Sequence, residues 1–422
     1  MERLLSRRIK TSIMFLLKAA ITFAAAGAFL YLITHYYPEI DFHFKGFVAF
    51  EFVYLVLLIS FMSSYRCFDI GVLRYRELIF MFILATSLTN FINYVILSLA
   101  AKMLLPLEPL TVTLLAQWAA GLLLYAAADR VYFLLYPARN AIVVSSDEGA
   151  ELSTLDKFKH IKERYEIREV CSEREGMDAI MARITPYSTV ILGTVDNEMR
   201  LALTEYCFEH SKRLFYIPTV QDIILHSSHQ TFVGDSLMYQ CKNKTFTIEQ
   251  LLIKRLMDIG FSLLGLLLTS PVMAVTAIAI KLHDGGPVFF KQERYTRNLT
   301  PFTLIKFRSM VVDAEKNGPQ LTVPGDKRVT PVGKIIRATR IDELPQFFNV
   351  LRGEMSLVGP RAERIENVDY YCELMPEFRY RMKVKAGLTG YAQIYGKYNT
   401  TYEDKLKMDL LYIENCSLVR DL

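Results

Sequence analysis

None of the six cysteines (Cys67, Cys171, Cys207, Cys241, Cys372, Cys416) forms a CxxC pair, so neither a zinc ribbon nor a disulfide frame is encoded and they read as free thiols of a reducing compartment. Histidine is nearly missing from the C-terminal third, where His283 stands alone, and histidine triads or zinc sites are excluded there. Glycine is scarce where a dinucleotide fold needs it. The turn after the first strand-like segment of the middle region, "SSDEGAEL" (145–152), holds one glycine where the fingerprint has three. No nucleic-acid motif accompanies the net charge of +5, which suits a surface lying against anionic lipid. No nucleic-acid partner is expected.

Long apolar runs are abundant. They lie at 13–32, 47–62, 78–99 and 110–127, each near the ~20 residues that a helix needs to cross a bilayer. Lys18 and Glu51 sit near run ends, where long side chains snorkel. The alternative is four buried helices of a soluble bundle. Arg3, Arg7, Arg8 and Lys10 precede the first run, and Arg66, Arg74 and Arg76 follow the second. Glu39 and Asp41 against Lys45 fill the loop between. The positive-inside rule then predicts a cytoplasmic N-terminus and a cytoplasmic chain after Arg130.

The texture changes near 141. "AIVVS" (141–145), "STVILG" (188–193) and "RLFYIP" (213–218) read as buried strands separated by charged helical segments, a small parallel α/β sheet of Rossmann type. The expected domains are 1–136, a membrane α-helical bundle; 137–246, a degenerate Rossmann-like α/β domain; and 247–422, an α-rich domain with its own membrane element. That element is a further apolar run, 259–280, flanked by Lys254 and Arg255 before it and Lys281, Lys291, Arg294 and Arg297 after it. Both flanks carry the inside signature, and Pro271 removes a backbone donor mid-run. The run therefore reads as a re-entrant helix over about 254–283 that breaks at Ser270-Pro271. A fifth span kinked at proline is the alternative.

Beyond it, basic residues recur in short apolar, glycine-punctuated segments: Lys306, Arg308, Lys327, Arg328, Lys334, Arg337, Arg340, Arg361, Arg364, Lys383, Lys385 and Lys397. Such residues beside turns where backbone can approach a ligand suit phosphate oxygens. Among them, "RATRIDELPQ" (337–346) puts Asp342 and Glu343 side by side. The spacing of Leu344, Phe347, Phe348 and Leu351, with Gly353 behind, predicts a helix from Asp342 to Arg352 with Pro345 in its first turn. The acids then either cap that helix or act on a bound phosphate, as nucleophile or as hard ligands for Mg²⁺.

The segments "KRLMD" (254–258), "LLTSPVMAV" (267–275), "GPVFFKQER" (286–294), "FTLIKFRSM" (302–310), "RIDELPQFFNVLRGEMSLVGPRAE" (340–363), "VKAGLTGYAQIYGK" (384–397) and "MDLLYIENCSL" (408–418) resemble the bacterial sugar transferases, the monotopic polyprenyl-phosphate phosphoglycosyl transferases. The front of the chain resembles that of the large-form members, which start exopolysaccharide, capsule or O-antigen repeat units. The resemblance implies transfer of a sugar 1-phosphate from a UDP-sugar to undecaprenyl phosphate with Mg²⁺, at the cytoplasmic face of a bacterial inner membrane. It implies that Asp342 is a nucleophile forming a covalent phosphosugar and a metal ligand, with Glu343 beside it. It implies that Lys306, Arg308, Arg337, Pro360, Arg361 and Lys385 contact phosphate or nucleotide, and that Ser270-Pro271 is the helix break. A homodimer is compatible with it. The chain departs from the family pattern at Ala362, at Lys385-Ala386 and at "YTRNLT" (295–300). Two other classes remain: a membrane-anchored ligand sensor built on 141–245, and a sugar-nucleotide dehydratase or epimerase, against which the missing glycines count.

Overall fold

The computed structural model describes residues 2–37, 44–146, 155, 158, 164–241, 246–314, 326–396 and 400–421, and divides into two compact units, Met1–Ile217 and Pro218–Leu422. The loop with Glu39 and Asp41, most of the 145–152 turn, and Lys397 lie outside the described residues.

The first unit opens with four helices, α1 (Glu2–Tyr36), α2 (Phe44–Ser64), α3 (Tyr75–Ala101) and α4 (Glu108–Leu135), each containing one of the apolar runs. Helix α4 packs on α1 and α3, and α3 on α2. Their polarity is inverted relative to a soluble bundle. Asn90, Asn93, Gln117, Thr86 and Thr89 are buried, whereas Phe15, Phe23, Phe52, Leu99 and Leu123 face outward. Inside, Asn90 Nδ2 donates to Gln117 Oε1 (2.6 Å), and Gln117 Nε2 donates to Ala25 O (2.8 Å) and Tyr54 OH (3.0 Å). Apolar surface outside and polar groups paired mostly with one another within is the arrangement that hydrocarbon requires. These four helices, and a fifth in the second unit, are long and apolar enough to cross a membrane, and the chain is a membrane protein. A four-stranded parallel sheet follows, β1 (Arg139–Ser145), β2 (Tyr165–Ser172), β3 (Thr189–Leu192) and β4 (Arg213–Tyr216), in the order β2-β1-β3-β4. Strand alternation sends Ile142 and Val144 towards α5 (Met177–Ile184) and α6 (Asn197–Glu209), and Ala141 and Val143 towards Tyr165.

The second unit begins earlier than the expected boundary at 246/247. Its first helix, α7 (Val220–His226), buries Val220 and Ile223 among Val368, Phe378, Leu406 and Leu410, and Ser227 Oγ donates to Glu414 Oε2 (3.2 Å). A hairpin, β5 (His229–Val233) and β6 (Ser236–Gln240), leads to the 37-residue α8 (Ile248–Asp284). One stripe of α8 faces its own domain: Asp258, Ser262, Thr276 and Ile280 are buried in register with partly buried Gly265, Thr269 and Met273. The opposite face shows Leu252, Leu256, Leu263, Leu267, Val275 and Ile278. The expected break at Ser270-Pro271 is instead a proline held within one continuous helix. Pro271 cannot donate to Leu267 O four residues back, and Ser270 Oγ donates to that carbonyl at 2.9 Å instead.

The rest is a mixed α/β body. Strands β7 (Phe289–Tyr295) and β8 (Pro301–Phe307) pair antiparallel. Helices α9 (Pro331–Ala338) and α10 (Gln346–Arg352) precede β9 (Ser356–Val358), which pairs parallel with β10 (Gly387–Thr389). Helix α11 (Ile365–Leu374) lies between those strands, and α12 (Tyr391–Ile394), α13 (Tyr402–Glu414) and α14 (Leu418–Asp421) close the chain. Arg381, about 1% exposed, is buried against α13 by Nε donating to Asp409 Oδ2 at 2.6 Å.

The packing of α7 generates a stability prediction. Ile223→Ala should destabilise the C-terminal unit by about 2–4 kcal/mol. A chain starting at Thr247 should melt below one starting at Pro218, because it uncovers Leu406 and Leu410. Thermal melting of the two truncations checks this; equal midpoints would detach α7 from the unit.

Candidate active site

The acid pair is placed by what precedes it. Thr330 Oγ1 caps α9 by accepting from Gly333 N (2.9 Å), and a Cβ on Gly333 would lie 1.9 Å from Ser309 O, so only glycine lets the helix start this close to the strand. After α9 the chain reverses at Arg340, whose φ of 60° is left-handed, a costly conformation for a residue with a Cβ. The reversal feeds a single 3₁₀ turn, Ile341–Glu343, rather than the predicted α-helix from Asp342. Helix α10 starts only at Gln346, with Pro345 at its N-cap position and no side-chain cap. The acids therefore do not cap it. Ile341 anchors the turn in a cluster with Ile280, Phe307 and Ile336.

The two carboxylates differ. Glu343 Oε1 accepts from Arg361 Nη2 at 3.0 Å and from Arg340 Nη1 at 3.5 Å. Asp342, about 8% exposed, makes no ion pair among the described residues. Burial, and then the charge of Glu343, push its carboxyl above the usual aspartate range, while Lys306 and Arg337 pull it back. Lys306 feels the converse. Burial first, then Arg294, Arg337 and Arg361, bring its ammonium down to about 8, against the attraction of Asp342.

Arg294, Lys306, Glu343, Gln346, Arg361 and Gln393 line one cleft beside this turn. Of the expected residues, Glu343, Lys306 and Arg361 line it, and Asp342 and Arg337 lie close enough for their charges to act on Lys306. Pro360 supports them through backbone: its carbonyl accepts from Gly387 N (2.8 Å), and a Cβ on Gly387 would sit 2.1 Å from Gly359 N. Arg381 Nη2 donates to Arg361 O (3.1 Å), fixing the same turn from behind. Two expected contacts lie elsewhere. Arg308 is buried in a two-pronged ion pair with Asp284, and its Nε donates to Pro287 O (2.7 Å), so it fastens β8 to the end of α8. Lys385 lines a different cavity, with Arg255 and Asp258.

Three cleft residues were not singled out from sequence. Arg294 Nη1 donates to Ala362 O (2.9 Å), Gln346 is buried beside the acid turn, and Gln393 Nε2 donates to Leu388 O (2.9 Å). The last leaves Gln393 Oε1 buried without a partner among the described residues, an acceptor amid donors. Glu363, whose burial works against its charge, is nevertheless held below the usual range by Arg381, Lys405, Arg361 and Arg294.

The model of the family described as "Bacterial sugar transferase" matches residues 249–422. The exopolysaccharide production protein PSS of Rhizobium leguminosarum is 41% identical over 181 residues, which cover 41% of this chain and 90% of that protein. The chain belongs to the bacterial sugar transferase family. A UDP-N-acetylgalactosamine-undecaprenyl-phosphate N-acetylgalactosaminephosphotransferase of Aeromonas hydrophila is 46% identical over 173 residues, 40% of this chain and 41% of that one. A UDP-glucose:undecaprenyl-phosphate glucose-1-phosphate transferase of Klebsiella pneumoniae is 44% identical over 177 residues, 41% of this chain and 38% of that one. The matched part thus spans well under half the length of these two transferases.

As a metal site, the sugar transferase turn offers two adjacent carboxylates, and no group of three or more His, Cys, Asp or Glu gathers among the described residues. That donor set fits Mg²⁺, which takes one or two carboxylates and completes its shell with water and phosphate oxygens.

The position of Lys306 generates a pH prediction. Pyrophosphate binding should weaken by about tenfold as pH rises through about 8, because the cleft loses a charged hydrogen-bond donor. Lys306→Arg, which stays protonated, should flatten the profile. Calorimetric titration from pH 6.5 to 9.5 checks this; identical profiles for both proteins would remove Lys306 from the anion site.

Proposed function

We propose that this chain transfers a sugar 1-phosphate from a UDP-sugar to undecaprenyl phosphate, as the initiating step of an exopolysaccharide, capsule or O-antigen. The observation that carries the reading is the asymmetry of the dyad: Glu343 is clamped by Arg361 and Arg340, while Asp342 has no ion pair and faces Lys306 and Arg337.

The donor diphosphate would lie in the cleft on Lys306, Arg337 and Arg361, whose cations screen its charge from the incoming carboxylate. An Asp342 oxygen attacks the sugar-bearing phosphorus, the bond from that phosphorus to the bridging oxygen breaks, and UMP leaves with the electron pair. An oxygen of undecaprenyl phosphate then attacks the same phosphorus, and the Asp342 carboxylate is released. Two steps let one site serve a soluble donor and a lipid acceptor in turn. Desolvation raises the energy of the Asp342 anion and so favours its attack. Mg²⁺ held by Asp342 and Glu343 would supply charge neutralisation to the phosphate oxygens. Glu343 holds Arg361 in place for the donor.

The membrane arrangement supports the same reading. Contacts of α8 with its own domain run from Lys254 at one end to Asp284 at the other, about 45 Å at ~1.5 Å per residue. A helix crossing a bilayer cannot keep a polar domain along that whole length, so α8 lies with its outward face in the membrane and both its ends on the cytoplasmic side of the inner membrane. An apolar trough of about 440 Å³ runs between Pro271, Val275 and Ala279 of α8 and Val332, Ile335 and Ile341. Ile341 adjoins Asp342, which suits the trough to the acceptor's isoprenoid chain. The four front helices would add anchorage, and the parallel sheet, of Rossmann-like type, a structural or regulatory role.

Membranes offered undecaprenyl phosphate and a panel of UDP-sugars should release UMP with at least one of them. Without acceptor, labelled donor should leave phosphosugar on Asp342. Asp342→Asn should lose turnover by roughly 10³-fold or more, with Glu343→Gln less damaging. An active Asn variant with no labelled protein would refute the covalent route. Ala279→Trp, filling the trough, should raise KM for the lipid while the labelling half-reaction proceeds; an unchanged lipid KM would place the chain elsewhere.

A further inference from the structure

A second basic cavity of the C-terminal unit takes no part in the transfer chemistry above. It lies at the start of α8 and is lined by Lys254, Arg255, Asp258, Arg297, Lys383 and Lys385. It shares no lining residue with the cleft of Lys306, Glu343 and Arg361. Strand β9 divides the two: Ser356 and Val358 turn to this cavity, whereas Met355, one residue before, turns to the other.

Most of its charges are already engaged. Lys254 Nζ pairs with Asp421 Oδ2 (2.5 Å), and Arg255 donates to Val350 O (2.6 Å) and Leu351 O (2.7 Å) at the end of α10. Lys383 Nζ lies 3.9 Å from Glu414 Oε1. The lone acid, Asp258, accepts from Ser356 Oγ (3.1 Å) and Leu357 N (3.0 Å) through one oxygen. Arg297 and Lys385 remain, from different loops, with no hydrogen bond or ion pair among the described residues. Burial, and then repulsion from Arg255, hold the Lys385 ammonium below its usual range, a condition that a bound anion relieves.

The remaining walls are apolar: Phe246, Leu251 and Val358. Leu251 lies seven residues before Asp258 on the same side of α8, yet it and its neighbours Ile248 and Leu252 are all exposed at the start of the helix. An anion held here therefore sits where the membrane-facing surface of the helix begins. The cavity, about 120 Å³, has room for a phosphate group.

We propose that this cavity binds the phosphate of an anionic membrane lipid on Arg297 and Lys385, with the lipid's acyl chains against the outward face of α8. The lipid would fix the depth of the helix start independently of substrate.

The test uses the full-length protein in detergent, titrated with phosphatidylglycerol or phosphatidylcholine and read by native mass spectrometry. One phosphatidylglycerol should be retained preferentially. Arg297→Gln with Lys385→Gln should weaken that retention at least tenfold, the worth of about one charged hydrogen bond. Arg297→Gln alone, at an exposed position, should give a measurable part of the loss with an unchanged melting curve. Inorganic phosphate or UMP at the lipid's concentration should not displace it; displacement would assign the site to a soluble phosphate and overturn the lipid. Equal retention of both lipids, or undiminished retention by the folded double variant, would overturn the site itself.

Discussion

The stripe that α8 turns towards its own domain constrains the whole C-terminal unit. Polar or small residues (Asp258, Ser262, Gly265, Thr269, Thr276) recur on it at helical spacing inside an otherwise apolar sequence. They let the helix seat closely: a Cβ on Gly265 would come within 2.8 Å of the Phe347 ring. Because the stripe stays in phase across Pro271, one rigid element carries both the Arg255 contacts to α10 and the Asp284 pair to Arg308. Strand β8, which bears Lys306, and helix α10, which follows the acid turn, are thus both referenced to α8. Its other face is left for lipid.

Around that frame the site is built from backbone devices more than from side-chain clusters. The left-handed Arg340 turns the chain so that Asp342 and Glu343 precede α10, and Ile341 plugs the hydrophobic cluster below them. The Gly359–Pro360–Arg361 turn is stitched to β10 at glycine-only distances and backed by the buried Arg381–Asp409 pair. Such over-determination lets a strained residue and a desolvated carboxylate persist. It also separates two roles that look alike in sequence, since the same turn that clamps Glu343 leaves Asp342 without an ion pair among the described residues.

Much of this was legible from residues alone, for reasons that can be named. Apolar runs near bilayer length recover α1 to α4, and short apolar runs recover β1, β3 and β4, because both signals are local. The acid pair stands out as charge in an apolar, glycine-punctuated segment, whereas Lys306, Arg337 and Arg361 were picked from twelve such cations only by the resemblance to the sugar transferases. Arg308 misled because its carboxylate, Asp284, lies far back in the chain, and no local pattern tells a paired arginine from one awaiting phosphate. Lys385 misled likewise: the two sides of β9 are a tertiary fact. Helix α7 was assigned to the middle domain by proximity in sequence, while its apolar side belongs with α11 and α13. Gln393 gave no signal, since an uncharged amide becomes notable only once its oxygen is seen buried and unmatched.

The account rests on α8 keeping both ends on one side of the membrane with its domain alongside. Single cysteines at Glu249 and at Gly285, in a background with the native cysteines replaced, can be probed with a membrane-impermeant thiol reagent in right-side-out and inverted inner-membrane vesicles. The account predicts that both sites stay unlabelled in the first and both react in the second. Labelling of one end from each side would make α8 a span, and would put the domain that holds Asp342 out of reach of a cytoplasmic nucleotide-sugar donor.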